Sequence, residues 1–236
     1  MRLLPVAVMV VSTALNPAFS MGDLDKGMIE SLSSADWFVY GAPNGDIRAT
    51  TGHLHVRAIP GREANGLAGA IWRAPARRPD HGERYVYVWR FREHSILQPG
   101  CALISLKPEA ETLTPLGPQD YFGLMTLVSP AHRRYGRMVR NGELVGYHDL
   151  PVADPIDIRF VLTPTGQRLE LKPSAKDQWL RFPAPENPWR NTDHQTLFLH
   201  LGCYGGAGGE NASNYWVRGV QVTDQDLSHP APAGGY

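Results

Sequence analysis

The chain has 236 residues, with 23 basic and 23 acidic side chains and a net charge of zero. The chain therefore lacks the basic excess that is typical of nucleic-acid-binding proteins. No apolar run is long enough for a helix that spans a bilayer, which takes about 20 residues.

The first twenty residues have the pattern of an export signal. Arg2 gives a positive start, an apolar run follows from Leu3 to Leu15, and Ala18-Phe19-Ser20 offers a small-residue cleavage site. We therefore expect a secreted or periplasmic protein. We expect residues 21–227 to form a single domain and the Pro-, Ala- and Gly-rich residues 228–236 to form a disordered tail.

Along the rest of the chain the hydrophobic period is mostly two. Only residues 21–34 read as a short helix. Val-, Ile- and aromatic-rich runs bounded by Gly, Pro, Asn and Asp predict strands. The predicted strands are 37–40, 47–49, 53–58, 69–74, 85–92, 102–107, 121–127, 137–139, 144–148, 157–163, 168–172, 196–204 and 215–223.

About a dozen short strands without helices between them predict a sandwich or a barrel. A parallel sheet would need crossover connections of a dozen or more residues, and these are missing. Chain length and strand number favour an all-β fold, a two-sheet antiparallel jelly-roll sandwich.

The segment from Thr196 to Tyr204 alternates strictly. Leu197, Leu199, Leu201 and Cys203 would point to the core, and Phe198, His200, Gly202 and Tyr204 would point the other way. An aromatic ring, an imidazole and a phenol then share one row, with space left by the glycine. Such a row is suited to sugars, because rings stack on sugar faces and polar tips bind hydroxyls.

Phe198-Leu-His-Leu-Gly-Cys-Tyr204 resembles the penultimate strand of concanavalin-like jelly-roll polysaccharide lyases, such as the alginate-lyase and heparin-lyase families. Their pattern is aromatic, Phe, Lys, small, Gly, any residue, Tyr. The match lies at Phe198, Gly202 and Tyr204, and His200 stands where those enzymes have Lys. It covers about the last 30 residues of the domain, including the closing strand from Tyr215 to Val222.

The resemblance implies cleavage of an acidic, uronate-containing glycan by β-elimination. Tyr204 would be the catalytic acid or acid/base. His200 would supply positive charge beside it or bind substrate, and Phe198 would contact substrate. The phenol suits this role only if neighbouring positive charge lowers its pKa from about 10.

Two further family patterns are matched only in layout. The early Arg-x-Glu-x-Arg strand corresponds to Gly69–Arg73, which keeps the last Arg, and the middle Gln-x-His strand corresponds to Ser105–Lys107, which keeps neither residue. The substrate-binding residues implied are therefore Arg73 and Lys107, with Arg90 or Arg92 as other carboxylate clamps.

Two other patterns have alternative interpretations. Tyr85, Tyr87, Trp89 and Phe91 would share one strand face, either as a sugar-stacking platform or as packed core. His53-x-His55 could begin a metal site or be a solvent-facing strand edge.

A non-catalytic glycan-binding module is the alternative to a lyase. A glycoside hydrolase is less well supported, because the carboxylates in or beside the predicted strands are not paired. No cofactor is expected. A structural calcium ion is compatible with the fold, although no ligand cluster identifies one. Cys101 and Cys203 could form a disulfide or remain thiols.

Overall fold

A computed structural model of the chain describes residues 27–41, 44–58, 67–93, 101–108, 122–128, 134–140, 143–149, 155–174, 176–182, 186–189, 196–204 and 214–227. Within these ranges all regular secondary structure is β-strand. The predicted signal peptide and tail lie outside the described residues. No described helix is long and apolar enough to cross a membrane.

Sixteen strands follow one another along the described chain. They are β1 (Trp37–Tyr40), β2 (Gly45–Thr50), β3 (His53–Ala58), β4 (Leu67–Arg77), β5 (Arg84–Glu93), β6 (Cys101–Lys107), β7 (Phe122–Val128), β8 (Arg134–Arg140), β9 (Glu143–Asp149), β10 (Ile156–Leu162), β11 (Gly166–Pro173), β12 (Leu180–Arg181), β13 (Asn187–Pro188), β14 (Thr196–Tyr204), β15 (Asn214–Val217) and β16 (Gly219–Thr223).

The strands form two antiparallel sheets. Sheet 1 has the order β1-β4-β14-β6-β7-β8-β9. Sheet 2 has the order β12-β11-β10-β5-β15-β3-β2, with β16 also on β5 and β13 on β11. Strand neighbours are far apart in sequence, since β14 lies between β4 and β6. The predicted all-β jelly-roll sandwich is confirmed.

The main core lies between the two sheets. In β14, Leu197, Leu199, Leu201 and Cys203 are all buried in it, as their alternation predicts. Burying each leucine side chain stabilises the fold by about 1.5–3 kcal/mol. The Tyr215 hydroxyl, from sheet 2, crosses this core and donates a hydrogen bond of 2.9 Å to the Gly202 carbonyl.

A bulge in β5 changes the expected aromatic face. Val88 and Phe91 both belong to the main core, so the alternation shifts by one residue between them. Arg90 there has φ of +55°, and the Asp157 carboxylate accepts a hydrogen bond of 2.9 Å from its backbone N–H. The prediction of a four-ring face is therefore wrong at Phe91, because period-two reasoning does not detect an inserted residue.

The helix predicted for residues 21–34 does not form in its described part, residues 27–34. Ile29 donates its backbone N–H to the Arg218 carbonyl at 3.1 Å, and Val220 donates to the Gly27 carbonyl at 2.8 Å. Ile29 also enters the core. Pairing with Arg218 and the start of β16 therefore replaces helical hydrogen bonds.

The register between β14 and β6 decides whether Cys101 and Cys203 face each other. Cys101 pairs with Tyr204, whereas Cys203 pairs with Ala102, one position along the same strand pair. Neighbouring positions on a strand point to opposite faces, so this register does not favour a disulfide. Cys203 is a buried free thiol, and burial raises its pKa to about 12.

Candidate functional site

The face of sheet 1 that points away from sheet 2, here called the outer face of sheet 1, carries the predicted site on three adjacent strands. Phe198 of β14 pairs with Lys107 of β6, and His200 pairs with Ser105 of β6. On the other side of β14, His200 pairs with Ile71 of β4. Successive rows along a strand are about 7 Å apart.

Arg73 lies on the same face, at the edge toward β1. Its guanidinium lies over the ring of Phe38, 5.7 Å from the centroid, and Phe38 pairs with Ile71. Arg73 and Lys107 therefore lie on the strands either side of Phe198, about 10 Å apart if two strand spacings separate them. The structure brings together four sequence-predicted side chains, those of Arg73, Lys107, Phe198 and His200.

The polar members of the row are buried. His200 and Lys107 are each 3% exposed, and Ser105 is fully buried. The open row expected from the alternation is therefore wrong for these residues, although they do point away from the core. Phe198, Arg73 and Phe38 are only half-buried. The Tyr204 backbone belongs to β14, but its side chain lies outside the described part of the structure.

A cross-strand pair of glycines leaves one row of this face without side chains. Gly69 pairs with Gly202 and with Tyr40 of β1. A Cβ at Gly202 would lie 3.0 Å from the Tyr40 hydroxyl, and a Cβ at Gly69 would lie 2.8 Å from it. Tyr40 therefore reaches across β4 and places its phenol over Gly202, one row from His200.

Sequence reasoning missed Tyr40 and Ser105. Phe38 and Tyr40 alternate in the predicted strand 37–40 as His200 and Gly202 do in β14, so a shared face was available as a signal. What the sequence does not show is that β1 joins the sheet beside β4. Ser105 is two residues from Lys107, which places both on one face.

The charge on this face is one-sided. Among its described side chains on β1, β4, β6, β7 and β14 are Arg73, Lys107 and His200, and none is an aspartate or glutamate. Cationic and imidazole groups suit an anionic ligand. A retaining glycosidase would need two carboxyl groups about 5–5.5 Å apart, which these described side chains do not provide.

Arg90 and Arg92 lie elsewhere. Both belong to β5, in sheet 2, so the core separates them from His200. Arg92 pairs with Trp216 of β15, and Arg90 occupies the bulge. The expectation that either forms one clamp with His200 is not supported by this placement. Sequence alternation cannot assign a strand to one of two sheets.

The face of sheet 2 that points away from sheet 1, here called the outer face of sheet 2, carries stacked aromatic rings. The Tyr87 and Trp89 ring planes are 5° apart with centroids at 4.5 Å, and Tyr85 stacks on Tyr87 at 6.0 Å. Trp179 packs against this stack. Tyr85 and Tyr87 are buried, so they form neither main core nor an open platform, but a second, smaller cluster.

Arg159 anchors that cluster. It is 6% exposed, its guanidinium lies 4.4 Å from the Trp179 ring centroid, and it contacts Glu170 and Asp226, each at 2.6 Å. The backbone N–H of Leu227 donates to the Tyr87 hydroxyl at 2.9 Å. Residues 224–227 are therefore fastened across the outer face of sheet 2.

Further ion pairs extend this network. Arg168 contacts Glu170 at 2.8 Å and Glu83 at 2.7 Å, and Arg84 contacts Asp224 at 2.5 Å. The hydrogen bond from Arg168 holds the pKa of Glu83 below its usual value, and that from Arg84 does the same for the pKa of Asp224.

The two histidines of β3 are not arranged as metal ligands. The His55 Nε2 atom is 2.6 Å from the Asn214 amide oxygen, and the His53 ring meets Trp216 edge-on at 4.7 Å. Both side chains are half-buried rather than solvent-facing. Among the described residues no group of three histidine, cysteine or carboxylate side chains could hold a metal ion.

No protein-family model and no curated protein sequence matches this chain. Its fold, however, is similar to solved structures. A seed lectin of Lotus tetragonolobus aligns with a TM-score of 0.58 at 10% identity, over 81% of this chain and 94% of that one. The lectin UEA-II, complexed with galactose, aligns with a TM-score of 0.54 at 11% identity, over 83% and 95%.

An enzyme is also similar in fold. A beta-1,3-glucanase from Mycobacterium marinum aligns with a TM-score of 0.51 at 12% identity, over 81% of this chain and 92% of that one. At such identities similarity establishes fold and not activity. The chain therefore has the concanavalin-like jelly-roll fold of these lectins and this glucanase.

Proposed function

We propose that this protein binds an acidic glycan on the outer face of sheet 1 and cleaves it by β-elimination. The observation that carries the proposal is the single face on which His200, Lys107 and Arg73 surround Phe198. The lectin and glucanase folds support a carbohydrate as the ligand class.

In this proposal the cations bind the uronate carboxylates. Arg73 offers a planar fork that can pair with a carboxylate in two hydrogen bonds, and Lys107 offers a compact charge. The half-buried Phe198 ring between them stacks on a sugar face. Lys107 is 3% exposed, so its charge acts on the ligand through the electrostatic field at this face and not through an open contact.

The elimination step uses the next rows. A base removes the proton from C5 of the uronate, the C4–O bond breaks, a C4–C5 double bond forms, and an acid gives its proton to the leaving oxygen. Tyr204 supplies the acid, and His200 supplies the base or the positive charge that lowers the tyrosine pKa. No external oxidant or reductant is needed, so we expect no cofactor.

A non-catalytic glycan-binding module is the second candidate. The observation that favours it is the 3% exposure of His200, which leaves little access to the imidazole in this structure. The half-buried Phe38, Arg73 and Phe198 could still bind a polymer without cleavage.

The deciding experiment incubates the purified protein with alginate, heparin and a neutral β-glucan. Binding is measured by calorimetry, and cleavage by the ultraviolet absorbance of the unsaturated product. Absorbance that is lost in Tyr204→Phe and His200→Gln supports the lyase, whereas binding without absorbance selects the module. Tyr85→Phe, on the outer face of sheet 2, is the matched control. Binding to neither acidic polymer refutes both forms of the proposal.

We also propose export, since the first twenty residues have the form of a signal peptide. An N-terminus at Met21 in protein recovered outside the cytoplasm would support this. An intact Met1 in that material would contradict it.

A further inference from the structure

We infer that Tyr40 belongs to the glycan-binding site, where its phenol replaces the side chain that Gly202 lacks and donates a hydrogen bond to a bound sugar. The inference rests on the proposed function of the outer face of sheet 1. It adds a specificity-determining residue from a strand that the sequence comparison did not implicate.

The placement follows from the glycine pair. Gly69 and Gly202 face each other across β4 and β14, and the Tyr40 hydroxyl lies over both. It lies 3.0 Å from the position that a Cβ of residue 202 would take. Along β14 this position falls between the rows of His200 and Tyr204, about 7 Å from each.

Tyr40 is half-buried, and its hydroxyl lies over two positions that carry no side chain. It is not among the buried side-chain oxygens that lack a partner, so a ligand would replace water at this hydroxyl. One hydrogen bond exchanged in this way contributes about 0.5–1.5 kcal/mol. A sugar hydroxyl or carboxylate bound above Gly202 would accept that hydrogen bond.

A buried hydroxyl without a partner lies nearby. Ser105 pairs with His200, and its buried Oγ atom has no hydrogen-bond partner among the described residues. Gly123 pairs with Ser105 on the other side, and a Cβ there would come within 2.6 Å of the serine Cβ. This hydroxyl and the Tyr40 phenol, one row away, form a polar surface beside the imidazole that purely structural packing does not require.

The pKa of the Tyr40 phenol limits its role in the proposed site. Burial, with a smaller contribution from nearby Cys203, raises the pKa of its phenol. The phenol therefore stays protonated around neutral pH and acts as a hydrogen-bond donor, not as a general base. This separates its role from that of Tyr204, which the proposed mechanism requires to exchange a proton.

Gly202 allows the phenol to be displaced without a large change in the backbone. After the Tyr40 hydroxyl, the nearest atom to a Cβ at residue 202 is the Ala68 carbonyl oxygen, at 3.5 Å. Gly202→Ala therefore mainly pushes the flexible end of Tyr40 aside. Tyr40→Phe removes the hydroxyl. In the double variant, the methyl group added at position 202 occupies the space that the hydroxyl leaves.

The test titrates alginate and heparin hexasaccharides into the wild type and these three variants. Loss of one hydrogen bond predicts about three- to tenfold weaker binding for Tyr40→Phe. Gly202→Ala should weaken binding similarly, and the double variant should be no weaker than either single change. Tyr85→Phe, the same chemical change on the other sheet, should bind like the wild type.

Thermal unfolding checks the geometry without a ligand. Gly202→Ala should lower the midpoint by about 2–4 °C in the wild type and by less in the Tyr40→Phe background. Equal shifts in both backgrounds would overturn the placement of the hydroxyl.

The binding outcomes separate this inference from the proposed function. If the wild type binds a hexasaccharide, Lys107→Gln weakens that binding and Tyr40→Phe does not, then Tyr40 is only structural and the inference is overturned alone. If the wild type binds neither hexasaccharide, the proposed function is overturned and the inference with it.

Discussion

The outer faces of the two sheets differ in how their charged and polar side chains are arranged. On sheet 2 the arginines Arg84, Arg159 and Arg168 are matched by carboxylates, and residues 224–227 are bonded across the aromatic stack. On sheet 1 the charged side chains described beside Phe198 are cationic, and the Ser105 hydroxyl lacks a hydrogen bond within the described chain. The first face is covered by residues 224–227 of the protein itself, whereas the second is the face that we propose for an anionic, hydroxyl-rich ligand.

This difference shows why the charge on a face is a better guide to a ligand-binding site than the number of its aromatic rings. Tyr85, Tyr87 and Trp89 form the more regular stack of rings, and by composition alone they make the better sugar platform. Contacts with Arg159 and Leu227 assign them to stability. The comparison predicts that changes on sheet 2 alter folding more than binding, and that changes to the cationic and hydroxyl side chains on sheet 1 do the reverse.

The largest expected effect is that of Arg159→Met. It removes one of the two arginines that contact the buried Glu170 carboxylate, 8% exposed, and the arginine that contacts Asp226. Breaking a buried pair in this way costs about 3–5 kcal/mol. Urea unfolding measures the loss. Arg48→Met, at a surface pair with Asp46 of 3.5 Å, is the control and should cost at most about 1 kcal/mol. Equal losses would remove the distinction between the faces.

The next largest expected effect is the difference in stability between Gly69→Ala and Gly202→Ala. A Cβ at Gly69 would come within 2.5 Å of the Leu201 carbonyl oxygen and 2.7 Å of the Gly202 Cα atom, so β4 and β14 must move apart. We expect about 1–3 kcal/mol lower stability for Gly69→Ala and less for Gly202→Ala, where a tyrosine side chain can yield. Chemical denaturation of both variants decides. A reversed order would contradict the described β4–β14 contact.

A change of similar size is expected in binding for Lys107→Gln. Loss of one charge that pairs with a carboxylate should weaken affinity for an acidic oligosaccharide by about tenfold, and binding should become less sensitive to salt. Lys176→Gln, at an exposed position near the end of β11, is the matched control and should leave affinity unchanged. Equal effects of both substitutions would indicate nonspecific attraction instead of a site.

The smallest effect concerns acid. The pKa values of Glu83 and Asp224 are lowered in the folded protein by bonds to Arg168 and Arg84. Their contribution is therefore complete above the ordinary values of 4.5 and 3.8, and is lost as pH falls through the lowered ones. Because the carboxylates of both pairs are at least partly exposed, each pair contributes only about 0.2–1 kcal/mol.

The measurement follows the free energy of unfolding of the wild type and of Glu83→Gln as pH is lowered. The variant should lose less stability than the wild type. An identical acid dependence would show that this exposed pair contributes nothing.

Much of the site follows from alternation in a single strand. The division of β14 into a leucine side and a Phe198–His200 side was predictable, because period two is a local property of the backbone. Its placement between β4 and β6, which brings Arg73 and Lys107 beside Phe198, follows from strand order and not from alternation. Their roles stay predictions.

What alternation could not supply was the environment of those side chains. The burial of His200, Ser105 and Lys107 depends on the rest of the molecule and not on their own strands. Tyr40 likewise reaches the site only because β1 pairs with β4 and two glycines coincide across a strand pair.

The sequence by itself determined the all-β class, most strand positions and which side of β14 is apolar, since these depend on neighbours a few residues apart. Only the tertiary structure decided that Arg90 and Arg92 belong to the other sheet, that a bulge turns Phe91 into the core, and that the phenol of Tyr40 lies over Gly202. Strand order and register join residues far apart in the chain. The free energy that selects them comes from packing two complete sheets together, a sum that no single segment encodes.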